Sequence, residues 1–588
     1  MKSDIVIGMA GAGGDGVVSA GDSLVAAVAR EGYHALMTKS FGPQIRGGES
    51  SCRVRVSTGA VHNPGGVLDV AVALNWDDFV KFGAELPVDG HTVVVYDSKT
   101  GVAPDALPLG GVKPAEVFPV PITELTKAAA GTDKAKTSVV LGLLSGWLGL
   151  AREALLAGLH KKFAKKGEEL LLANQKAFEA GFTYAAEHPS QAALKMETPA
   201  TKGQRKLLTD GNDMTAAAAL FAGCEFFGGY PITPSSEIMH FHGREIWKYG
   251  GAMLQAEDEI AGIGATVGAS FAGKKAMTAT SGPGMDLKTE VLGLASIAEL
   301  PLVLVNVQRG GPSTGLPTKA EQSDLLQACF SAHGDVLRPV LAPTSVGDCF
   351  AVTVEAFNIA ERYQTPVVVL SDQEIGLRKE TVDPIDTSKF VIEQRRRPTE
   401  AELEKYARFK LTEDGVSPIS HPGMKGGAYL AAGIEHNEKG APASSGKVHA
   451  QMNDKRFRKF APLRERRDLV HLEGDAGATV GLVAWGSVAG VCREALALAT
   501  AEGMKVKLLV PTLIYPFVDG AWREFLDSVK SGLVVEQSHQ GQLYRLLRMF
   551  HDVPPGLVPF ARDGANPFQP AEVVARLREL AASDRRAN

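Results

Sequence analysis

Grouped metal-binding side chains are what this sequence most clearly lacks. Its 588 residues include five cysteines, and no two of them form a CxxC pair. Because an iron–sulfur cluster needs several thiolates close together, a cluster built from this chain alone is excluded. The 14 histidines show no HExxH or other zinc-binding spacing. We therefore predict no metal site, and we expect the cysteines to be buried, reduced thiols.

Excess positive charge and long apolar runs are also missing. A formal net charge of -5 and a pI near 6.3 give no electrostatic reason to expect nucleic acid. Glycine, proline or a charged residue interrupts every apolar run, so none could span a membrane. The N-terminus carries Asp4 and leads directly into a strand, unlike a signal peptide. We therefore expect a cytoplasmic protein with neither a nucleic-acid nor a membrane partner.

Glycine, by contrast, is abundant near the N-terminus, in the stretch GMAGAGGDGVV at residues 8–18. Gly11, Gly13 and Gly16 form a GxGxxG pattern between a predicted strand and a helix beginning near Val17, as in dinucleotide-binding folds. Such folds also need an acidic residue about 20 positions later, at the end of the second strand. Here that strand runs into Lys39, and Glu31 lies in the turn before it.

The same loop contains a second phosphate-binding pattern. Gly14, Asp15 and Gly16 resemble the start of the thiamine diphosphate signature, in which the aspartate and a later asparagine hold magnesium. No asparagine occurs before Asn63, so the second ligand is missing. A close-packed turn between strand and helix is the favoured interpretation, and a dinucleotide site is the weaker alternative.

Alternation of β-branched runs with helical periods predicts an α/β fold with parallel sheets and covering helices. The chain divides into a first α/β domain, a polar linker, a second α/β domain, an irregular charged segment and a third α/β domain. Their predicted boundaries are 1–188, 189–210, 211–384, 385–470 and 471–588.

The charged segment contains two basic runs, at 395–397 and 455–459. We favour a solvated or subunit-facing surface for both runs. Binding of a polyphosphate such as that of coenzyme A is the alternative.

The middle domain carries the chemistry, beginning with the run YPITPSSE at residues 230–237. Two prolines in one turn fix the backbone of Thr233, so its hydroxyl can serve as a fixed donor. Ser235 or Ser236 is available to cap the helix that follows.

A second run, QAEDEIAGIGATVG at residues 255–268, predicts a helix that begins with acidic residues and continues with small residues at 261, 264, 265 and 268. A backbone or a flat ring could lie closely on that face. A carboxyl at its start would be partly desolvated, which favours the protonated form. Thiamine enzymes need such an acid beside the aminopyrimidine ring. Alternatively, Glu257, Asp258 and Glu259 only complement the helix dipole, and the residues alone leave the two interpretations about equal.

Four motifs in one order resemble the alpha subunit of 2-oxoacid:ferredoxin oxidoreductases. They are the YPITPSS run, the EDEIA helix, the turn TSGPG at 280–284, and QRGGPSTGLPT at 308–318 with Gln322 and Asp324. The 2-oxoglutarate branch, in which a gamma-type domain precedes the alpha domains, is the most similar. Residues 42–49 and 73–75 are similar to that gamma domain. Residues 484–487, Glu536 and 541–543 are similar to the transketolase C-terminal domain.

The resemblance implies thiamine diphosphate shared between two subunits. The beta subunit would hold Mg2+, the diphosphate end and a [4Fe-4S] cluster, while this chain supplies the pyrimidine-binding domain. Glu259 stands nine residues before Gly268, the spacing of the activating acid in related enzymes, so we choose it over Glu257. Tyr230, Pro231 and Thr233 are the other expected cofactor contacts. Ferredoxin as a partner, coenzyme A as cosubstrate and an (alpha-beta)2 heterotetramer are further implications.

The resemblance also implies substrate contacts. Thr233 corresponds to a threonine near the reacting carbon, Arg309 to the arginine that pairs with the substrate carboxylate, and Thr318 to a polar residue of the same pocket. Arg46 aligns with a basic residue of the gamma domain and is our candidate for a distal carboxylate. An exposed loop cation is the alternative for Arg46. The stretch MDLK at 285–288 departs from the more apolar GxSLM of relatives, which puts the local packing in doubt.

The expected reaction is oxidative decarboxylation of 2-oxoglutarate to succinyl-CoA, with electrons passing to ferredoxin. The same chemistry on pyruvate or a branched-chain 2-oxoacid would preserve every motif. A noncatalytic nucleotide-binding or scaffolding protein is the alternative from a different class.

Overall fold

A computed structural model of the chain describes residues 1–42, 48–204 and 206–587. Arg46 therefore lies outside the described residues. The chain forms two units. The first comprises Met1–Asp210 and Leu377–Ile385, and the second comprises Gly211–Gly376 and Asp386–Asn588.

The first unit contains strands β1–β7 and helices α1–α6, and it is completed by β14 from later in the chain. Its strands are β1 (Asp4–Gly11), β2 (His34–Phe41), β3 (Ser50–Ser57), β4 (Val70–Ala73), β5 (Val93–Asp97), β6 (Glu116–Val120), β7 (Leu207–Thr209) and β14 (Lys379–Val382). Its helices are α1 (Val17–Arg30), α2 (Trp76–Lys81), α3 (Ile122–Ala130), α4 (Lys136–Leu148), α5 (Arg152–Phe163) and α6 (Glu168–Glu187).

In the described part of this unit the strands form one sheet in the order β6-β5-β4-β1-β3-β2-β14-β7. The pairs from β6 to β1 are parallel, whereas those from β1 to β7 are antiparallel. The α/β class is confirmed, but this sheet is mixed rather than mainly parallel. Helices α1, α4 and α6 contribute to its apolar core.

Residues 189–210, expected to be a polar linker, take part in the first unit instead. Leu194 and Met196 are buried in its core. The N–H of Met196 donates to the carbonyl of Leu148, and that of Glu197 donates to the carbonyl of Lys2. The burial of these two apolar side chains, at alternate positions, helps to bind this otherwise polar segment to the core.

The glycine loop of the first unit is a close-packed turn. Asp15 accepts a hydrogen bond from the N–H of Ala12 at 2.9 Å, and Gly16 has φ 83° immediately before α1. A Cβ at Gly11 would lie 2.9 Å from Asp15 Oδ2 and 3.1 Å from Val17 Cγ2. The glycines are thus required by local geometry, as the packing interpretation expects.

The second unit contains the remaining elements of the chain. Its strands are β8 (Phe226–Gly229), β9 (Ala252–Gln255), β10 (Ala276–Thr280), β11 (Leu302–Gln308), β12 (Val340–Leu341), β13 (Pro366–Asp372), β15 (Val470–Gly474), β16 (Val480–Ala484), β17 (Val506–Pro511), β18 (Leu513–Tyr515), β19 (Ser531–Glu536) and β20 (Gly556–Ala561). Its helices are α7 (Gly211–Phe221), α8 (Ser236–Glu245), α9 (Glu259–Phe271), α10 (Gly282–Ile297), α11 (Leu325–Phe330), α12 (Asp348–Tyr363), α13 (Gln373–Leu377), α14 (Glu400–Leu403), α15 (Gly446–Arg458), α16 (Val488–Ala501), α17 (Asp519–Ser528), α18 (Gln542–Phe550) and α19 (Pro570–Ala587).

Two sheets organise the second unit. The larger has the order β18-β12-β13-β11-β10-β8-β9 and is parallel except for β18. The smaller has the order β15-β17-β16-β19-β20 and is parallel except for β15. Both agree with the predicted mainly parallel architecture.

The basic runs of residues 385–470 are partly internal. Arg395 is 4% exposed and its guanidinium contacts Glu361 at 2.5 Å. Lys455 and Lys459 are buried around Glu299, at 2.5 and 3.2 Å. The solvated-surface interpretation is therefore wrong for these three cations, because each has an acidic partner inside the protein.

Candidate active site

The site-bearing motifs meet at one edge of the larger sheet. Strands β11, β10, β8 and β9 are neighbours and run parallel, so their carboxyl ends lie side by side. The YPITP loop follows β8, the acidic helix start follows β9, the SGPG turn follows β10 and Arg309 follows β11. Ligands of open α/β sheets bind at this edge.

The loop after β8 is rigid. Asn212 Nδ2 donates to the carbonyl of Pro234 at 2.7 Å, and Thr233 is half-buried. The hydroxyl of Ser235 donates to the carbonyl of Ile232 at 3.0 Å and does not cap α8. The expected cap at Ser235 is therefore wrong, since its hydroxyl closes the turn instead. Tyr230, at the start of the loop, is 38% exposed.

Arg309 reaches from the end of β11 to this loop. Its side chain is 7% exposed, and Nη1 donates to the carbonyl of Thr233 at 2.5 Å. Among the described residues, Nε has no hydrogen-bond partner. Burial lowers the pKa of Arg309, whereas Asp324 nearby raises it. A buried guanidinium with an unused donor is suited to binding an anion.

Thr318 is brought back towards Arg309 by a turn of the chain. The N–H of Gly310 donates to the carbonyl of Lys319 at 3.0 Å, and the N–H of Leu316 donates to the carbonyl of Gly310 at 2.8 Å. Thr318 is half-buried at the closing end of this loop. The structure thus joins Thr233 to Arg309, which the sequence places in separate motifs, and the turn returns the segment with Thr318 to Gly310, next to Arg309.

The three consecutive acids before α9 have different environments. Asp258 caps the helix, because its carboxylate accepts from the N–H of Ala261 at 2.7 Å, and it is exposed like Glu257. Glu259 is 8% exposed. A Cβ at Gly284 would lie 2.8 Å from Glu259 Cγ and 2.9 Å from its Oε1. The dipole-complementing role therefore belongs to Asp258, and Glu259 packs against the SGPG turn.

The small residues of α9 serve two faces. Gly262 packs against β8, where a Cβ at Gly262 would lie 3.1 Å from Gly229 Cα. The expected face at 261, 264, 265 and 268 is open, since Ala261, Gly264 and Gly268 are exposed. A flat group could therefore lie on that face beside Glu259, which fits the pyrimidine end of thiamine diphosphate.

Two further residues of the site had no predicted role although their motif was recognised. Gln322 is 1% exposed and holds the segment after Arg309 through two hydrogen bonds with Gln537. The backbone N–H of Gln322 donates to the carbonyl of Gln537 at 2.7 Å, and the side-chain Oε1 of Gln322 accepts from the N–H of Gln537 at 2.9 Å. Its Nε2 also donates to the carbonyl of Trp485 at 2.8 Å. Asp324 accepts from Asn306 Nδ2 at 3.0 Å.

Burial raises the pKa of Asp324 to about 6, although the bond from Asn306 and the charge of Arg309 act against this rise. The site therefore contains, besides Glu259, a carboxyl whose pKa is raised by burial. Its side chain lies close to the SGPG turn, because a Cβ at Gly282 would be 3.0 Å from Asp324 Oδ2.

Within the searched, described residues, no three His, Cys, Asp or Glu side chains are arranged to hold a metal ion. The same part of the chain contains no helix long and apolar enough to cross a membrane.

Three family models match successive parts of the chain. Residues 6–184 match "Pyruvate ferredoxin/flavodoxin oxidoreductase". Residues 217–455 match "Pyruvate flavodoxin/ferredoxin oxidoreductase, thiamine diP-bdg". Residues 478–555 match "Pyruvate:ferredoxin oxidoreductase core domain II".

Full-length relatives match as well. The alpha subunit of 2-oxoacid:ferredoxin oxidoreductase 2 of Aeropyrum pernix is 30% identical, over 94% of each chain. The 2-oxoglutarate oxidoreductase subunit KorA of Mycobacterium tuberculosis is 33% identical, over 93% of this chain and 87% of its own. A solved structure of 2-oxoglutarate:ferredoxin oxidoreductase from Magnetococcus marinus, with 2-oxoglutarate, coenzyme A and succinyl-CoA bound, is 38% identical. It covers 99% of this chain and 100% of its own, with a TM-score of 0.93.

Proposed function

Because the chain belongs to the alpha subunits of the 2-oxoacid:ferredoxin oxidoreductase family, we propose that it forms 2-oxoglutarate:ferredoxin oxidoreductase with a beta subunit. The reaction is oxidative decarboxylation of 2-oxoglutarate to succinyl-CoA, with electrons passing to ferredoxin. The substrate is chosen because the similar Magnetococcus enzyme binds 2-oxoglutarate and succinyl-CoA. In this chain, the observation that supports the chemistry best is Glu259, the buried member of three consecutive acids.

Thiamine diphosphate, when bound, supplies the electron sink that allows a 2-oxoacid to lose CO2. Glu259 is the residue we assign to the pyrimidine end. Its carboxyl lies at the start of α9, between the SGPG turn and the open small-residue face, and would donate a hydrogen bond to a ring nitrogen. Tyr230, Pro231 and Thr233 belong to the adjacent loop and would line the same ring.

Arg309 is assigned to the carboxylate next to the keto group. A planar guanidinium donates two parallel hydrogen bonds to one carboxylate, and the contact of Arg309 with the Thr233 carbonyl sets its direction. The hydroxyls of Thr233 and Thr318 then flank the bound acid. Arg46 stays our prediction for the residue that binds the distal carboxylate. That second carboxylate is the group that distinguishes 2-oxoglutarate from pyruvate.

The remaining parts of the enzyme are assigned to partners. Membership of the family supports a beta subunit that carries Mg2+, the diphosphate site and a [4Fe-4S] cluster. It also supports ferredoxin as the electron acceptor and an (alpha-beta)2 assembly. A cytoplasmic location stays a prediction. Pyruvate or a branched-chain acid is the alternative substrate, and the full-length match to catalytic subunits argues against a noncatalytic scaffold.

The test is an anaerobic assay of the purified alpha-beta complex with coenzyme A and a viologen dye. Reduction of the dye should be fastest with 2-oxoglutarate, compared with pyruvate and 2-oxoisovalerate. Glu259→Gln should abolish turnover, while Glu257→Gln, which changes an exposed acid two residues earlier, should retain it. Equal activity of the two variants would refute the role of Glu259, and a preference for pyruvate would refute the substrate.

A further inference from the structure

A buried lysine lies directly behind Glu259. Lys288, in the second turn of α10, is 0% exposed. Its Nζ donates to the carbonyl oxygen of Glu259 at 2.8 Å, and this is its one hydrogen bond among the described residues. An ammonium group has three donors and is costly to bury. An apolar side chain would fill the same space without that cost, so the charge itself requires an explanation.

Helix α10 contacts Glu259 at two points. Gly284 and Lys288 are four residues apart and therefore share one face of the helix. Gly284 leaves room for Glu259 Cγ and Oε1, while Lys288 bonds the backbone of the same residue. Gly284 thus provides the space that the Glu259 side chain occupies, and Lys288 holds the Glu259 carbonyl. The two contacts together fix the position of the carboxyl relative to the SGPG turn.

The charges around Lys288 come mainly from the start of α9. Glu259 and Asp258 both favour the protonated ammonium, but burial is the larger effect and lowers the pKa of Lys288 to about 8. On its own helix, the exposed Asp286 is bonded to Gln327, and Glu290 is exposed. At neutral pH Lys288 thus places a positive charge beside the backbone of Glu259.

We propose that Lys288 is a positioning residue for Glu259, which it holds against the SGPG turn through the carbonyl oxygen of Glu259. This inference rests on the proposed role of Glu259 at the pyrimidine ring. Without the contact to Lys288, the carboxyl of Glu259 would no longer be held at a fixed distance from a ring nitrogen, and proton transfer depends on that distance.

The test replaces Lys288 in the alpha-beta complex. Lys288→Met removes the charge and the hydrogen bond, whereas Lys288→Gln removes the charge but leaves a donor. Lys275→Met is the matched control, because Lys275 is also buried and also donates to backbone carbonyls, those of Ala222 and Glu393. Each variant is examined for its Tm, its affinity for thiamine diphosphate in calorimetric titration of the cofactor-free complex, and its kcat between pH 6 and 9.5.

We expect Lys288→Met to lower kcat about 10- to 100-fold, since a small misplacement of a catalytic group has effects of that size. Its affinity for thiamine diphosphate should fall, and a limb of the wild-type pH profile near pH 8 should disappear. Lys288→Gln should recover part of the affinity but not the limb. Lys275→Met should change Tm alone.

Two outcomes would overturn the inference. One is a Lys288→Met complex whose cofactor affinity and pH profile equal those of Lys275→Met. The other is a Lys288→Gln complex, folded by its Tm, with the wild-type pH profile. Glu259→Gln separates this failure from that of the proposed function, because an active Glu259→Gln complex refutes the role of Glu259 itself.

Discussion

Arg309 Nη1 donates to the carbonyl oxygen of Thr233 at 2.5 Å, across 76 positions of sequence. This contact joins the loop after β8 to the end of β11 over the intervening strand β10. The guanidinium is thereby oriented, and Nε has no partner within the described residues. The direction of the remaining donors is consequently set by the YPITP loop.

Replacement of Arg309 by lysine should therefore weaken substrate binding although the charge is kept. A lysine ammonium cannot make two parallel bonds to one carboxylate. We expect kcat/KM for 2-oxoglutarate to fall about 30-fold or more, as for other buried, hydrogen-bonded charges. Arg545→Lys, on the exposed face of α18, is the control and should leave steady-state kinetics unchanged. An unaltered kcat/KM in Arg309→Lys would contradict the assignment.

The buried charge cluster around Glu299 should be important for stability. Burial alone would raise the pKa of Glu299, but Lys455, Lys459 and Arg408 outweigh it and hold the pKa below the usual range. Glu299→Gln would leave two buried ammonium groups without their counter-ion. We expect the free energy of unfolding to fall by about 3 to 5 kcal/mol, measured by urea denaturation of the alpha chain.

Glu290→Gln changes an exposed acid of the same region and should alter the free energy of unfolding by less than about 0.5 kcal/mol. A similar, small effect of both variants would show that the cluster contributes little.

The titration of Glu536 should make the folded chain less stable as the pH rises. The side chain is 0% exposed, and burial raises its pKa to about 7, although the N–H groups of Leu543 and Tyr544 lower it. Between about pH 4.5 and 7 the folded chain holds a proton that the unfolded chain releases. The contribution of Glu536 to the free energy of unfolding therefore decreases as pH rises through this window.

Glu536→Gln removes the titration. The stability of the wild type relative to this variant should decrease by about 2 to 3 kcal/mol between pH 4.5 and 7, measured by Tm at several pH values. A constant difference between the two proteins across this range would mean that Glu536 does not keep its proton when folded.

The fold class and family could be predicted because their signals are local. The glycine loop, the YPITP run and the SGPG turn each lie within a dozen residues, and the glycine loop follows a predicted strand. The place of strand β14 in the sheet of the first unit, between β2 and β7, could not be predicted. The N–H of Ala35 donates to Thr381 Oγ1 across 346 positions, and pairing over such a distance leaves no periodic pattern near either residue.

Burial of three cations in the basic runs was missed for a related reason. A run such as residues 455–459 has the same composition whether it is solvated or paired inside the protein. The partner of Lys455 and Lys459 is Glu299, about 160 positions earlier, and Arg395 pairs with Glu361. Within the site, Glu259 could be separated from Glu257 only by analogy, since the local sequence does not show that Glu259 packs against the distant Gly284.

Asp324 should make substrate binding depend on pH, because it lies close enough to Arg309 for each to shift the pKa of the other. With a pKa of about 6, Asp324 is mostly neutral at pH 5.5 and ionised at pH 7.5. When ionised, it competes with the substrate carboxylate for the same guanidinium. The KM for 2-oxoglutarate should therefore rise about 3- to 10-fold between these pH values.

Asp324→Asn removes this competition, so its KM should be low and nearly constant over the same range. Asp286→Asn, in which an exposed neighbouring acid is changed, should keep the rise of KM with pH but move it to lower pH, because Asp286 raises the pKa of Asp324. If Asp324→Asn retains the wild-type rise of KM with pH, the titrating group lies elsewhere. A rise of KM at low pH instead would mean that ionised Asp324 supports the guanidinium and does not compete with the substrate.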